Sequence, residues 1–270
     1  MSIQEDFRNE RKKQIELFSN NSDIKNYTQQ WIQFAQLHRY SYNFDWLGRP
    51  IIQYPQDMAA MQEIVWKVKP DLIVETGIAH GGSLIMNASY LAMLDYAEAA
   101  EKSETLNPKK SNRKVLGIDI DIRDHNQKAI DNHPMRHMIE MIQGSSIDNG
   151  IIEQVKEFSK SYNTILVCLD SNHTHDHVLA ELEAYAPLTS KGSYCIVFDT
   201  IVEDLPDEMF SDRPWGNGNN PKTAVWEYMN RLKKIPRKDR EGADLQFEID
   251  KVIENKLLIT VAPDGYLKRI

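Results

Sequence analysis

The sequence predicts a Rossmann-like α/β domain whose sheet is mostly parallel and ends in an antiparallel hairpin at the C-terminus. Three observations support this fold class. Short apolar runs alternate with helix-like segments from residue 58 onward, a glycine-rich turn follows the first of these runs, and two β-type runs near the C-terminus flank a Pro-Asp-Gly turn. Repeated strand–helix units favour a doubly wound sheet, in which ligands bind at the carboxyl ends of the strands.

The alternating pattern gives the order of the predicted elements. Helices are predicted at residues 58–68, 83–100, 126–132, 147–161, 176–186 and 222–233. Strands are predicted at residues 72–75, 115–119, 138–143, 164–169 and 194–198, with a surface insertion at 101–113. The closing hairpin is predicted to pair residues 257–262 with 266–270 around Pro263-Asp264-Gly265.

The first 57 residues form an extension to this domain, which spans residues 58–270. Residues 3–37 contain no Gly or Pro and space their apolar side chains helically, which predicts one or two accessory helices. Residues 40–56 mix aromatic side chains with turn-forming ones, so we expect an ordered loop there. Such a loop could close one wall of a pocket.

Composition limits the class of protein. A chain of 270 residues with 41% hydrophobic side chains fits one large domain with appendages. The formal net charge of −8 argues against nucleic-acid partners, because proteins that bind nucleic acid usually present a basic face. Cys168 and Cys195 lie in apolar runs, so we expect buried, reduced thiols.

The N-terminal segment and the hydropathy pattern bear on localisation. Residues 1–8 are charged and lack the apolar stretch of a signal peptide, and no run approaches the ~18 apolar residues of a membrane span. We therefore expect a soluble cytoplasmic protein that acts on a small molecule or a sugar. Whether it forms a homo-oligomer is left open.

A glycine-rich turn follows the first predicted strand of the domain and reads Glu75-Thr-Gly-Ile-Ala-His-Gly-Gly-Ser83. Glycines let the backbone approach a ligand closely, and a helix that begins at Ser83 offers free N–H donors. The spacing differs from Gly-x-Gly-x-x-Gly, which disfavours a dinucleotide. A carboxylate at Glu75 suits the ammonium group of a methionine moiety better than a diphosphate. The turn contributes the candidate cofactor-binding residues Glu75, Gly77, His80, Gly81, Gly82 and Ser83.

The ends of the next two strands add candidate contacts for a nucleoside. Asp119 ends the second strand, where an acid can accept hydrogen bonds from both ribose hydroxyls, and Asp121 is the alternative. Ser145 and Ser146 follow the third strand and could frame an adenine. A tight turn is the structural alternative for any single glycine, but the combination predicts S-adenosylmethionine as cofactor.

Two acids occur at the ends of the fourth and fifth strands. Asp170 and Asp199 should therefore converge, and carboxylate oxygens are the ligands that Mg²⁺ prefers. Asp170 is also a candidate catalytic and cofactor-binding residue. Helix capping by Asp170 and turn formation by Asp199 are the structural alternatives.

Three histidines follow Asp170. Alternation places His173, His175 and His177 on one face only in a strand, and this segment starts a helix, which disfavours a zinc site. His173 lies three residues past Asp170, and its near-neutral pKa suits a general base for an incoming hydroxyl. We expect His175 and His177 to be structural.

Five segments carry a resemblance to a known family. They are residues 75–83, 170–178, 185–188, 192–200 and 262–269. From about residue 40 to the C-terminus, the chain resembles the cephalosporin hydroxylase/rhamnosyl O-methyltransferase family. The resemblance implies the seven-stranded class I methyltransferase fold, S-adenosylmethionine, and a divalent cation, usually magnesium, at the ends of the fourth and fifth strands. It also implies that His173 is the base.

One position departs from the family pattern. In the antibiotic-pathway branch the fifth strand ends in two consecutive acids, whereas here Phe198 precedes Asp199. Loss of one ligand would leave a weaker or more hydrated metal site, or one completed by Glu203 or Asp204 from the next loop. This departure therefore bears on the prediction that the reaction depends on a divalent cation.

These residues together predict methyl transfer to a hydroxyl group. A cation held by Asp170 and Asp199 would polarise the hydroxyl while His173 removes its proton. Aromatic and polar side chains near Trp215 and Tyr54 would suit a sugar, and the resemblance points to a polysaccharide or glycolipid pathway. In the loop of residues 204–221, Arg213, Trp215 and the segment 219–221 could cover the acceptor, whereas Trp226 is expected in the core.

Three alternatives stay open at this stage. A natural-product tailoring O-methyltransferase would share these catalytic residues and differ in its covering loops. A nicotinamide-dependent oxidoreductase is disfavoured by the glycine spacing. A non-catalytic cofactor-binding module would keep the fold without the metal.

Overall fold

The computed structural model describes residues 3–270, so the first two residues of the predicted extension lie outside the described residues. The helices are α1 (Ile3–Asn20), α2 (Ser22–Leu37), α3 (Pro55–Val68), α4 (Gly82–Lys102), α5 (Asp124–Asp131), α6 (Asn149–Ser159), α7 (His175–Tyr185), α8 (Pro221–Lys234) and α9 (Lys251–Leu257). The strands are β1 (Phe44–Trp46), β2 (Arg49–Ile51), β3 (Leu72–Thr76), β4 (Lys114–Asp119), β5 (Ile139–Gln143), β6 (Ile165–Leu169), β7 (Tyr194–Val197), β8 (Phe247–Ile249) and β9 (Tyr266–Arg269).

The larger sheet has seven strands in the order β5-β4-β3-β6-β7-β9-β8. The first five strands in this order are parallel, and β9 runs antiparallel to both β7 and β8. The predicted fold class is confirmed, including the antiparallel pair at the C-terminal edge. The strand order reverses at β3, because β4 and β5 lie on one side of it and β6 and β7 on the other. Such a switch point is where open α/β sheets bind ligands.

Both faces of the sheet are covered by helices. Side chains alternate along a strand, so Ile73 of β3 packs on one face while Leu72 and Val74 pack on the other. The first face is covered by α3 and α4, and the second by α6, α7 and α8. A strand that is buried on both faces has an almost continuously apolar sequence, which is why these strands could be predicted from the sequence.

The first strand of the closing hairpin was predicted wrongly. Residues 257–262 are not a strand, and β8 is the partner of β9 instead. Asp250 caps α9 by accepting from the backbone N–H groups of residues 252 and 253, so the apolar run begins inside a helix. Thr260 then donates from its hydroxyl to Asp57 rather than pairing in a ladder.

The extension contains the two expected helices and one unexpected small sheet. Asn21 separates α1 from α2 and caps α2 with its side chain. The predicted ordered loop at 40–56 includes the antiparallel pair of β1 and β2, joined by a turn in which Leu47 and Gly48 both have positive φ. Trp46 ties this pair to α4 through a hydrogen bond from its Nε1 to Ser89 Oγ of 3.0 Å.

The cysteines and the hydropathy of the helices agree with the sequence predictions. Cys168 and Cys195 are buried free thiols. Within residues 3–270, none of the helices combines the length and apolar character needed to cross a membrane.

Candidate active site

A cavity of about 710 Å³ opens at the carboxyl ends of β3, β6 and β7. The loop of residues 40–56 forms one wall, as predicted, through Ser41, Tyr42 and residues 50–53. Of the predicted site residues, the cavity brings together Gly77, His80, Gly82, Ser83, Asp170, His173 and Asp199. The other candidates, Glu75, Gly81, Asp119, Ser145 and Ser146, lie outside its lining.

The glycine turn packs tightly against its neighbours. Gly77 has a φ of +91°, and a Cβ there would lie 2.1 Å from the backbone oxygen of Asp170. A Cβ at Gly82 would lie 2.2 Å from the backbone oxygen of Pro50. Both positions therefore require glycine, because any side chain would displace backbone atoms.

Side chains from three other elements hold this turn in place. The Oδ2 atom of Asp119 accepts from the backbone N–H groups of residues 78 and 79, at 2.8 and 3.3 Å. Asn126 donates to the backbone oxygen of Ala79 at 2.8 Å, and Arg49 Nε donates to that of His80 at 3.0 Å. The conformation of the turn is thus fixed by hydrogen bonds within the protein.

Helix α4 begins at the cavity wall. Gly82 and Ser83 form its first two positions and line the cavity, and Gly81 before them provides no side-chain cap. The first N–H groups of a helix have no partner within the helix, and they carry its positive dipole end. This end of α4 is suited to an anionic group such as a carboxylate.

Glu75 lies beneath the turn rather than in the cavity. Strand alternation places it on the same face as Ile73, under α4, where it is 2% exposed. Its carboxylate accepts from Asn87 Nδ2 at 2.7 Å and from the hydroxyl of Ser83. Burial raises the pKa of Glu75 to about 7, although these two hydrogen bonds oppose the shift. In this arrangement Glu75 supports Ser83, and its direct contact with a cofactor stays a prediction.

Ser146, the second of the two serines after β5, forms part of a polar network. Ser146 Oγ lies 3.0 Å from His177 Nε2, and the backbone oxygen of Ser146 accepts from the Tyr185 hydroxyl. His177 Nε2 also lies 3.3 Å from Ser171 Oγ. The expected structural role of His177 agrees with these contacts, and the adenine contacts of Ser145 and Ser146 stay predictions.

Asp170, His173 and Asp199 form one cluster in the cavity. One ligand atom from each residue can be chosen so that all three lie within 4.8 Å of one another. His173 Nε2 is 3.4 Å from Asp199 Oδ2. The φ of Asp199 is +53°, a left-handed conformation that non-glycine residues adopt rarely, although aspartate adopts it more often than most. The sequence predicted that the two acids converge and that His173 lies near them, and the structure brings the three side chains together.

The two carboxylates of this cluster oppose each other electrostatically. Burial and then the charge of Asp199 raise the pKa of Asp170 well above its usual range. A hard cation prefers carboxylate oxygens and would remove this repulsion. The donor set of two carboxylates and one imidazole therefore fits a divalent metal ion.

Neither acid of the following loop joins the cluster, so the suggestion that one replaces a lost ligand is wrong. Glu203 accepts from the backbone N–H of Gly218 at 2.8 Å and from the Asn220 side chain. Asp204 forms a salt bridge with Lys222 of 2.6 Å. Both acids fix the loop of residues 204–221 instead, and Phe198 is buried in the core.

The long loop covers the cavity with two of the side chains that were predicted to do so. The ring of Trp215 packs edge-on against His173, with 4.7 Å between ring centroids, and the Arg213 guanidinium lies 5.5 Å from the Trp215 centroid. Both residues line the cavity. Residues 219–221 do not line it, because Asn219 and Asn220 bond to the loop and cap α8.

Two aromatic predictions are wrong. Tyr54 is completely buried, so its ring is not available to stack on a sugar. Trp226 is 46% exposed rather than in the core, since α8 turns Val225 and Tyr228 inward, and its Nε1 donates to Asp264 Oδ2 at 3.1 Å.

A sequence model of the family described as Rhamnosyl O-methyltransferase/CmcI matches residues 38–270. The chain belongs to this family. The match covers the glycine turn, the acidic cluster and the loop of residues 40–56, and it confirms the resemblance stated from the sequence.

Curated members of the Rhamnosyl O-methyltransferase/CmcI family are similar over most of the chain. The Rhamnosyl O-methyltransferase of Mycobacterium bovis is 29% identical over 215 residues, which cover 79% of this chain and 73% of that protein. The Rhamnosyl O-methyltransferase of Mycobacterium leprae is 28% identical over 226 residues, which cover 83% and 82%. A solved structure of CmcI with Mg and SAM is 18% identical, covers 85% of this chain and 77% of that chain, and has a TM-score of 0.49.

In this member of the Rhamnosyl O-methyltransferase/CmcI family, sequence reasoning missed three polar residues around the cavity. Arg49 and Asn126 shape the glycine turn, and Gln53 donates from Nε2 to Asp170 Oδ2 at 3.3 Å. Each contacts residues distant in sequence, so no local spacing pattern reveals the contact. The one sequence feature that could have pointed to Arg49 and Gln53 was the predicted ordered loop of residues 40–56, which contains both.

His175 has the structural role that was expected. Its Nδ1 lies 2.8 Å from Thr223 Oγ1 and its Nε2 lies 3.0 Å from Glu227 Oε2, so the ring joins α7 to α8. Its backbone N–H donates to Asn219 Oδ1. Of the three histidines that follow Asp170, His173 therefore lies in the cavity, whereas His175 and His177 support the fold.

Proposed function

We propose that this protein is an S-adenosylmethionine-dependent O-methyltransferase that methylates a sugar hydroxyl of a polysaccharide or glycolipid, with the help of a divalent cation. One observation carries the proposal: Asp170, His173 and Asp199 converge in the same cavity as a glycine turn and an uncapped helix N-terminus. Family membership supports it, as do the relatives named Rhamnosyl O-methyltransferase.

The turn side of the cavity fits the methionine part of the cofactor. The N-terminus of α4, with Gly82 and Ser83 at the cavity wall, would hold the carboxylate. Gly77 lets the β3 turn pass close to Asp170, whose carboxylate would accept from the ammonium group. The proposed cofactor contacts also include Asp119, which would bind the ribose, and Ser145 and Ser146, which would frame the adenine.

The acidic side fits Mg²⁺ or a similar ion. Asp170 and Asp199 would hold the ion, because one oxygen of each carboxylate lies within 4.8 Å of the other. Burial and then the charge of Asp199 raise the pKa of Asp170, and a bound ion would offset the charge of Asp199. With Phe198 in the core, water would fill more of the coordination sphere than in relatives with two consecutive acids.

His173 is the proposed base. When bound, the cofactor supplies an electrophilic methyl group, and the cation polarises the acceptor hydroxyl. His173 takes the hydroxyl proton, and Asp199, whose Oδ2 lies 3.4 Å from Nε2, stabilises the imidazolium that forms. The edge-on ring of Trp215 restricts the imidazole and excludes water from one side.

The mouth of the cavity supports a sugar as acceptor. Trp215 presents a partly exposed ring there, and Arg213, Tyr42 and Ser41 line the same cavity with hydrogen-bonding groups. A sugar presents an apolar face that stacks on aromatic rings and hydroxyls that need polar partners.

A methyl-transfer assay tests this proposal. The protein would be incubated with S-adenosylmethionine labelled in the methyl group and with rhamnosides, other glycosides or macrolide-type acceptors, with Mg²⁺ or with EDTA. We expect label on a glycoside hydroxyl, with a higher rate in Mg²⁺. Transfer only to non-sugar acceptors would contradict the sugar assignment, and no transfer to any acceptor would contradict the activity.

A further inference from the structure

The acidic cluster has a fourth polar neighbour, the side chain of Gln53, which comes from the extension before the α/β domain. We infer that Gln53 is a positioning residue, whose amide holds Asp170 in the orientation in which Asp170 and Asp199 share a divalent cation. This inference rests on the cation-assisted part of the proposed function. Gln53 itself is not proposed to react.

The contact with Asp170 is made by a buried amide. Gln53 is 4% exposed, and its Nε2 donates to Asp170 Oδ2 at 3.3 Å. Its Oε1 is buried and has no hydrogen-bond partner within residues 3–270. A buried acceptor without a partner is unfavourable, because it loses its hydrogen bonds to water and gains none in the protein. The Gln53 amide therefore keeps its contact with Asp170 in spite of an unfavourable contribution from its own Oε1.

Both sides of Gln53 in the chain are fixed to the rest of the site. On one side, Arg49 donates to the backbone oxygen of His80, and β2 packs against the start of α4. On the other side, α3 begins at Pro55, and its buried Asp57 accepts from the backbone N–H of Val261 at 3.0 Å. The backbone on both sides of Gln53 is therefore fixed, which limits where its side chain can lie.

The chemistry of an amide suits this position better than that of a cationic side chain. A lysine or arginine beside Asp170 would neutralise the carboxylate and compete with a metal ion. A neutral N–H donor orients the carboxylate and leaves its charge available for the ion. Without a donor at Oδ2, the Asp170 carboxylate is free to rotate away from the like charge of Asp199.

Gln53→Met tests the inference, because methionine has a similar volume and offers no N–H donor. Gln56→Met is the matched control. Gln56 lies three residues further on, also has a buried Oε1 without a partner among the described residues, and does not line the cavity. Mn²⁺ binding to the whole chain would be measured by calorimetry, together with binding of S-adenosylhomocysteine and the melting temperature.

We expect Gln53→Met to weaken Mn²⁺ binding about tenfold, the lower end of the effect of residues that orient metal ligands. S-adenosylhomocysteine affinity and melting temperature should stay close to wild type, and Gln56→Met should bind Mn²⁺ as wild type does. In turnover, the Mg²⁺ concentration for half-maximal rate should rise while the rate at saturating Mg²⁺ stays close to wild type.

Three results would overturn the inference, and they differ in whether they also refute the proposed function. Equal Mn²⁺ affinity in wild type and Gln53→Met would refute the role of Gln53 alone. Absence of Mn²⁺ binding to the wild type would refute the cation-assisted part of the proposed function together with this inference. A loss of affinity in Gln56→Met equal to that in Gln53→Met would assign both effects to packing and also refute it.

Discussion

The two halves of the cavity satisfy their polar groups in different ways. In the turn half, residues 77–83, the backbone is fixed by Asp119, Asn126 and Arg49 through well-formed hydrogen bonds. In the acidic half, Asp170, His173 and Asp199, two carboxylates face each other with one imidazole and one amide as close partners.

The turn half is preorganised by hydrogen bonds, whereas the acidic half stores electrostatic repulsion between two carboxylates. The backbone of the turn half is held by hydrogen bonds from other parts of the chain, so these residues act by keeping backbone N–H groups in position. The acidic half keeps an unfavourable charge arrangement that a cation would relieve. Substitutions in the acidic half should therefore remove function without lowering stability, whereas those in the turn half should weaken cofactor binding.

The largest effect is expected at Asp170. Asp170→Asn removes one of the two facing carboxylates, so metal-stimulated turnover should fall by roughly 10³-fold. S-adenosylhomocysteine affinity should fall less, by about tenfold, because the asparagine oxygen still accepts from the ammonium group. The melting temperature should not fall, because the repulsion with Asp199 is gone. Initial rates with and without Mg²⁺, calorimetry and thermal unfolding measure the three quantities. A variant that keeps metal-stimulated turnover would refute the assignment of Asp170 as a metal ligand.

His173→Ala should reduce the rate by about 10²-fold, which is typical for loss of a general base. The pH–rate profile should lose the limb that reflects the imidazole. His175→Ala is the matched control, because His175 joins α7 to α8 outside the cavity, and it should lower stability and leave the profile unchanged. An unchanged profile in His173→Ala would assign that histidine to structure.

Asp119→Ala should weaken S-adenosylhomocysteine binding about tenfold, since it removes the acceptor for two N–H groups of the turn and tenfold corresponds to about 1.4 kcal/mol. Asp121→Ala is the control, because Asp121 is exposed and contacts the turn through no side-chain hydrogen bond. Calorimetry on both variants compares them directly. A larger loss in Asp121→Ala would move the ribose contact to Asp121 and contradict the turn-shaping role of Asp119.

The smallest effect on turnover is expected from Glu75→Gln, which should change the pH dependence of stability. Burial raises the pKa of Glu75 to about 7 in the folded chain, against about 4.3 in an unfolded chain. Between these values the folded state binds more protons than the unfolded state, so the free energy of unfolding falls as pH rises. Glutamine does not titrate, so the free energy of unfolding of the variant should fall about 2–3 kcal/mol less than that of wild type between pH 5 and pH 8.

Urea unfolding of wild type and Glu75→Gln at both pH values measures this slope. Asp57, whose pKa burial raises to about 6, contributes a decline of the same sign in both proteins. Equal slopes would show that Glu75 titrates as it does in an unfolded chain.

The sequence predicted the parallel strands and the strand-end acids because both depend on local pattern. An apolar run such as β6 identifies a strand buried on both faces, and the rule for strand ends then places Asp170 and Asp199 together. The same local view failed at residues 257–262, where Asp250 starts a helix and Asp57 takes the hydrogen bonds of Thr260 and Val261.

The contacts that shape the site were not predictable from one sequence. Gln53 and Asp170 are 117 residues apart, and Arg49 reaches the backbone of His80 rather than a charged partner. Strand alternation places Glu75 under α4, beside Asn87, which its position at a strand end did not indicate, and its contact with a cofactor stays a prediction. Such contacts depend on tertiary packing, which residue spacing does not record.

The central claim is that the cavity binds a sulfonium cofactor, and calorimetry of the wild type with S-adenosylmethionine, S-adenosylhomocysteine and NAD tests it most directly. The account predicts saturable binding of both sulfur ligands with a dissociation constant of about 1–100 μM and no measurable binding of NAD. Binding of NAD without binding of either sulfur ligand, or absence of binding by either sulfur ligand, would contradict it.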